Sequence, residues 1–237
     1  MKRCAAVLLF FPLSCFAVDG VYEINQLCVD SGCFNGDSAG WPVTLAQTGS
    51  YRLTSNLDVS GHVTAAEITA IHITAPGVSL DLNGFSVKGP QSGGTGDGIN
   101  STAVGTSISN GHVTAMGNYG IRCGENCRID RVSATLNSFT GIEMWGMGGV
   151  LTNSASIGNG SIGVNTAGTV KNCVINGNGN NGVNAGTWSM VEGNQVIANS
   201  NNGIHCSGCS AVNNVVAENG GTGIYFADNA SFGGNRI

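Results

Sequence analysis

The chain has 237 residues, 38 of them glycine, with 10% charged and 6% aromatic side chains. That balance is too apolar for a disordered tail and too glycine-rich for a helical domain. The formal charge is −5, and −7 once Lys2 and Arg3 leave with a leader, which argues against nucleic acid or anionic lipid as a partner.

At the N-terminus, Lys2 and Arg3 precede an apolar run from Ala5 to Phe11, and Phe16-Ala17 offers a small residue before Val18. Residues 1–17 read as a signal peptide cut near Ala17, so the protein is expected to be exported: secreted, periplasmic or at the cell surface. A lipoprotein-type cut at Cys15 is the alternative, and Pro12 stands where that motif wants an aliphatic residue. The run is shorter than the roughly 20 apolar residues that span a bilayer, and no later segment comes close, so no transmembrane segment is expected.

Residues 18–50 read as an N-terminal cap. Asp19 is a candidate N-cap, and Val21, Ile24 and Leu27 have rough helical spacing, which predicts a short capping helix over 19–28. A loop with Cys28, Cys33, Gly36 and Trp41-Pro42 follows. From Tyr51 the pattern changes: Tyr51-Arg-Leu, Ala70-Ile-His-Ile-Thr and the run from Val78 to Val87 alternate as strands do.

Beyond Gly98 a glycine followed by Ile or Val recurs at 98, 120, 141, 163, 182, 203 and 223, with spacings of 22, 21, 22, 19, 21 and 20 residues. Helical solenoids need longer repeats, and leucine-rich repeats would show regular Leu and a return helix. Short alternating segments between Gly, Asn and Ser turns instead predict the rungs of a single-stranded right-handed parallel β-helix over 51–237, an all-β solenoid. Four residues before five of the glycines stand Asn137, Asn159, Asn178, Asn199 and Asn219. They are expected to stack as an asparagine ladder at a turn, where Asn tolerates left-handed backbone.

Alternation assigns the faces. Ile121, Cys123, Ile142, Met144, Val164, Val183, Ala185, Ile204, Cys206, Ile224 and Phe226 should point inward. Asn100, Arg122, Glu143, Asn165, Asn184, His205 and Tyr225 should line the outside of one sheet. At the far end, Gly233-Gly-Asn-Arg-Ile237 shows no cap, which leaves two readings: self-association through that end, or a shortened version of a longer design.

With Cys4 and Cys15 in the leader, seven cysteines remain. Three close pairs, Cys28 with Cys33, Cys123 with Cys127 and Cys206 with Cys209, predict local disulfides and leave Cys173 over. Zinc at Cys206-Ser-Gly-Cys209 is the competing reading, but no second ligand pair can be brought alongside, so no metal site is expected.

The run from Tyr22-Glu-Ile-Asn-Gln through Gly49-Ser-Tyr-Arg-Leu-Thr-Ser-Asn-Leu to Leu80-Asp-Leu-Asn-Gly-Phe, followed by the Gly-Ile/Val rungs, resembles exported bacterial right-handed β-helix repeat proteins of the pectate-lyase-like superfamily. The resemblance implies the fold. That superfamily includes lyases, glycoside hydrolases, epimerases and adhesins, so it does not imply one activity.

Hydrolysis of a polysaccharide needs two carboxylates about 5–9.5 Å apart. Asp130 and Glu192 are expected three rungs apart, about 14 Å, and Glu125 and Glu143 about 11 Å apart, so neither pair fits. A lyase would need clustered Asp for calcium beside an Arg base, and no such cluster accompanies Arg122, Arg128 or Arg131. No catalytic residue and no cofactor are therefore assigned, calcium entering only if the protein is a lyase. Arg122, Glu143, Trp145, Asn165, Asn184, His205 and Tyr225 form a candidate glycan-binding row, since amide, charged and aromatic side chains suit sugar hydroxyls and sugar faces. The competing view is an ordinary polar outer face on which Arg122 and Glu143 form a cross-rung ion pair. The expected function is a non-catalytic surface or envelope protein with a polysaccharide partner. The alternatives are a polysaccharide lyase or hydrolase and a purely structural solenoid.

Overall fold

A computed structural model describes residues 20–237, so the expected leader over 1–17 and the N-cap Asp19 lie outside the described residues. Within them the chain coils through 23 short strands that pair in parallel, rung on rung. The 3₁₀ turn Ala65–Glu67 is the one helical element among the described residues, and none is a helix long and apolar enough to cross a membrane.

The coil has three faces. The first sheet stacks Val43–Leu45, Ile71–Ile73, Ile99–Ser101, Ile121–Cys123, the starts of Ile142–Thr152 and Val164–Lys171, then Val183–Ala185, Ile204–Ser207 and Ile224–Ala227. The second runs from Val21–Ile24 and Ser50–Leu53 to Met190–Glu192, Ser210–Val212 and Ser231–Gly233. The third includes Ser86–Lys88, Ala155–Ile157, Val174–Asn176, Gln195–Ile197 and Val215–Ala217. Ser107–Thr114 and Arg128–Thr135 serve both of these, bending at Asn110 and Arg131, whose φ values of 60° and 53° are left-handed.

Period-2 alternation drives the packing. Ile71, Ile99, Ile121, Ile142, Val164, Val183 and Ile204 share one register and are all fully buried, a continuous aliphatic stack. Each such side chain contributes about 1.5–3 kcal/mol by leaving water. The repeat glycines beside this stack are needed for close approach. A Cβ at Gly120 would lie 2.5 Å from Asn137 Nδ2 and 2.6 Å from the Gly141 carbonyl oxygen, and Gly163 is hemmed in the same way by Asn178 and Gly182.

The asparagine ladder forms as expected. Each Nδ2 of Asn137, Asn159, Asn178 and Asn199 donates to the next Oδ1 at 2.9 Å, and each backbone N–H donates to that same oxygen. The left-handed residue is not the ladder Asn but the one before it: Leu136, Gly158, Gly177, Ala198 and Glu218. That bend turns the Asn inward, where its amide replaces water for the backbone at the corner. A second ladder was not foreseen. Asn194 donates to Asn214 and Asn214 to Asn235, both at 3.0 Å. Earlier rungs fill the same column with Ser154, whose hydroxyl accepts from Val132 N–H, and with Cys173, whose own N–H donates to Asn194. The odd cysteine is thus a buried ladder member, and burial pushes its thiol up to about 11.

All three predicted disulfides are present, Cys28–Cys33, Cys123–Cys127 and Cys206–Cys209. The expected capping helix is not: Val21–Ile24 is a strand paired with Ser50–Leu53, and Leu27 is 89% exposed. Three apolar positions are too few to separate a helix from a strand and turn, and the open edge of Ser50–Leu53 supplies backbone partners that a helix would leave unmet. Tyr22 stacks on Tyr51 at 5.0 Å, and Phe34, just past the Cys28–Cys33 bridge, closes the cluster.

Candidate functional site

The outward residues of the first sheet form one uninterrupted file. Thr44, His72, Asn100, Arg122, Glu143, Asn165, Asn184, His205 and Tyr225 are successive partners in register. Six of the seven candidate residues from the sequence therefore share one column, and Trp145 stands beside it, two positions past Glu143.

Hydrogen bonds run along this file in one direction. The Glu143 carboxylate can only accept when ionised, and Asn165 Nδ2 donates to its two oxygens at 2.9 and 3.0 Å. This turns Asn165 Oδ1 toward Asn184 Nδ2, 2.7 Å away, and Asn184 Oδ1 toward His205 Nδ1, 2.9 Å away. The imidazole must then donate from Nδ1, leaving Nε2 as an acceptor. His205 also stacks face to face on Tyr225, centroids 5.2 Å apart and planes within 7°.

The expected Arg122–Glu143 ion pair does not form as a contact among the described residues. Asn165 holds Glu143, while the Arg122 guanidinium lies over the Tyr119 ring, 5.3 Å from its centroid. Burial holds the Glu143 carboxyl above its usual range, opposed by Asn165 and by the charge of Arg122. Behind the file, Asp97 is raised by burial too, although Tyr119 N–H, Asn118 and Asn100 all donate to it. Asp97 thereby fixes Asn100 in the file.

Aromatic side chains wall the file on both sides. Ahead of the strands stand Trp41, Tyr119 and Phe139, the last two meeting edge to face at 5.1 Å. Behind them stands Trp145 at 41% exposure, while Trp188, at 87%, lines a separate hollow with Thr187, Gly208 and Asp228. Trp145 opens an irregularity in Ile142–Thr152, where the register shifts around Met147. Gly146 and Gly148, with φ of 99° and 75°, let that bulge rest on the Cys123–Cys127 loop: added Cβ atoms would come within 2.5 Å of Glu125 and 2.3 Å of Asn126. A hollow of about 360 Å³ lies between the bulge and the file, lined by Glu143, Trp145, Asn165, Asn184, His205 and Ser207.

Sequence reasoning missed Asp97, Tyr119 and Phe139. They lie outside the alternating strands, where the route of a turn decides which way a side chain points. The Gly-Ile register could have flagged Asp97, since it immediately precedes a repeat glycine.

No family model and no curated protein sequence matches the chain. Among solved structures it is similar to the A-modules of the Azotobacter vinelandii mannuronan C-5 epimerases AlgE6 and AlgE4, each with a TM-score of 0.62 and 18% identity over 91% of this chain. It is also similar to the Dettilon tailspike protein, with a TM-score of 0.57 and 15% identity over 91% of this chain. The chain spans 65% and 66% of the two epimerase modules and 53% of the tailspike. At these identities the likeness is one of fold, the parallel β-helix.

Proposed function

We propose that the first sheet is a glycan-binding face and that the protein is an exported, non-catalytic glycan-binding module. The observation that carries this reading is the polar file flanked by aromatics: spare amide N–H groups, the Nε2 acceptor and the hydroxyl of Tyr225 suit sugar hydroxyls, while Trp145 and Phe139 suit sugar faces. The file and its walls carry one guanidinium, Arg122, against the carboxylates of Asp97 and Glu143. That balance favours a neutral polysaccharide over a polyuronate. Hydrolysis would need a second free carboxylate, and Asp97, two rungs from Glu143 along the file, is 3% exposed with its oxygens already engaged. Three disulfides suit an oxidising compartment outside the cytosol. The mannuronan C-5 epimerase modules that share this fold support a glycan role in general, their own polymer being a polyuronate.

The test is retention of the mature protein in gels carrying neutral glucans, mannans or galactans beside polyuronates. A neutral polymer should slow the protein, and Trp145→Ala should abolish most of the shift with an unchanged unfolding midpoint. No shift on any polymer, or an unaltered shift in the variant, ends this reading. Shortening of the polymer would make the protein an enzyme.

A further inference from the structure

A second hollow opens on the same sheet, near the start of the file. It has a volume of about 380 Å³, and Trp41, Glu67, His72 and Asn100 line it. His72 and Asn100 are the file members preceding Arg122, so this hollow and the one beside Trp145 lie along one line on the solenoid axis. From His72 to His205 there are six register steps, about 29 Å at the spacing of paired strands.

The walls of this hollow are held before any ligand arrives. The Trp41 indole N–H donates to His62 Nε2 at 2.9 Å and the two rings meet edge to face at 89°, so the polar atom of Trp41 is satisfied within the protein. Glu67 accepts from the backbone N–H and the hydroxyl of Thr95. Asn100 Nδ2 donates to Asp97 at 2.9 Å, which fixes the amide and leaves its Oδ1 as an acceptor. An aromatic ring, an imidazole and an oriented amide around a hollow repeat the chemistry of the first site without repeating its sequence.

We propose that Trp41, His72 and Asn100 form a second glycan subsite, and that the ligand is a polymer reaching across both hollows rather than a short oligosaccharide. This inference rests on the glycan-binding reading above. Two weak subsites on one rigid face turn the second contact into an intramolecular event, which raises affinity for a polymer by about a hundredfold or more over a fragment that reaches only one. The two hollows are centred about four register steps apart, roughly 19 Å, which sets the length at which that gain begins, and about 29 Å is the length that fills both end to end.

The experiment is calorimetry with β-glucan, mannan and galactan, each as polymer and as disaccharide or trisaccharide, on the intact protein and on Trp41→Ala, His72→Ala and Trp145→Ala. His72 faces outward at a half-exposed position, so its replacement reports on the subsite even if Trp41→Ala disturbs the fold. The expected result is a polymer bound about a hundredfold more tightly than the fragments, two fragments per protein, and loss of most of the polymer advantage in His72→Ala while one fragment still binds. Polymer affinity that survives both Trp41→Ala and His72→Ala but falls in Trp145→Ala overturns the second subsite and leaves the first site standing. Binding of none of these glycans by the intact protein overturns both.

Discussion

Two sets of asparagines sit a few residues apart on the same rungs and do opposite work. Asn137, Asn159, Asn178 and Asn199 are buried, and each donates to the next ladder member and also to a carbonyl of an earlier rung, as Asn178 does to Ser156. Asn165 and Asn184 face outward, half-exposed, joined to each other and to Glu143 and His205, with one amide hydrogen of Asn184 left over. The inner set is saturated and serves the fold. The outer set is oriented but unsaturated, which is the condition for binding something else. Identity of the side chain says nothing of this; the number of its bonds already made does.

The comparison breaks if both sets contribute alike to stability. Asn178→Ala leaves the buried backbone N–H of Asn159 without an acceptor and takes one of three acceptors from its Nδ2, which keeps the Ala134 carbonyl and the Ser156 hydroxyl. A loss of about 1–3 kcal/mol in urea unfolding is expected, from one orphaned buried donor. Asn184→Ala removes bonds that water can replace, and should cost less than about 1 kcal/mol while weakening retention by a neutral polysaccharide. Equal losses in the two variants would show that the outward file is structural after all.

The same contrast explains how far the sequence could be read. The first ladder was legible because asparagine recurs at a fixed distance from five of the seven repeat glycines. The second was hidden because its column holds Ser154, Cys173, Asn194, Asn214 and Asn235, one geometric role filled by three residue types. The inward and outward faces followed from alternation alone, since a strand has only two sides. The walls of the site did not, because Tyr119 and Phe139 belong to turns, and the helix read over 19–28 failed because three residues cannot fix a period. Cys173 sharpens the point. Sulfur accepts weakly where the neighbouring rungs use oxygen, so Cys173→Asn should extend the inner ladder and raise stability by about 1 kcal/mol, read from the urea midpoint. The native thiol, raised to about 11, should resist alkylation at pH 8 until the protein unfolds. A destabilised Cys173→Asn would mean that volume rather than hydrogen bonding decides that position.

The smallest effect on stability separates the two sets most cleanly. The inner ladder sets its own direction, because every backbone N–H along it demands the oxygen of the next amide. In the outer file the direction is imposed by Glu143 and handed on through Asn165 and Asn184 to His205. Glu143→Gln keeps the shape and removes the obligation, since an amide can present either group to Asn165. Stability should change by less than about 0.5 kcal/mol, as surface replacements usually do. The imidazole of His205 should respond nonetheless: long-range ¹H–¹⁵N spectra of the intact protein at neutral pH should give the Nδ1–H tautomer, and those of the variant a mixture of both. An unmoved tautomer would mean that Asn184 is oriented by something other than the carboxylate, and that the file is a row of independent side chains rather than one directed chain.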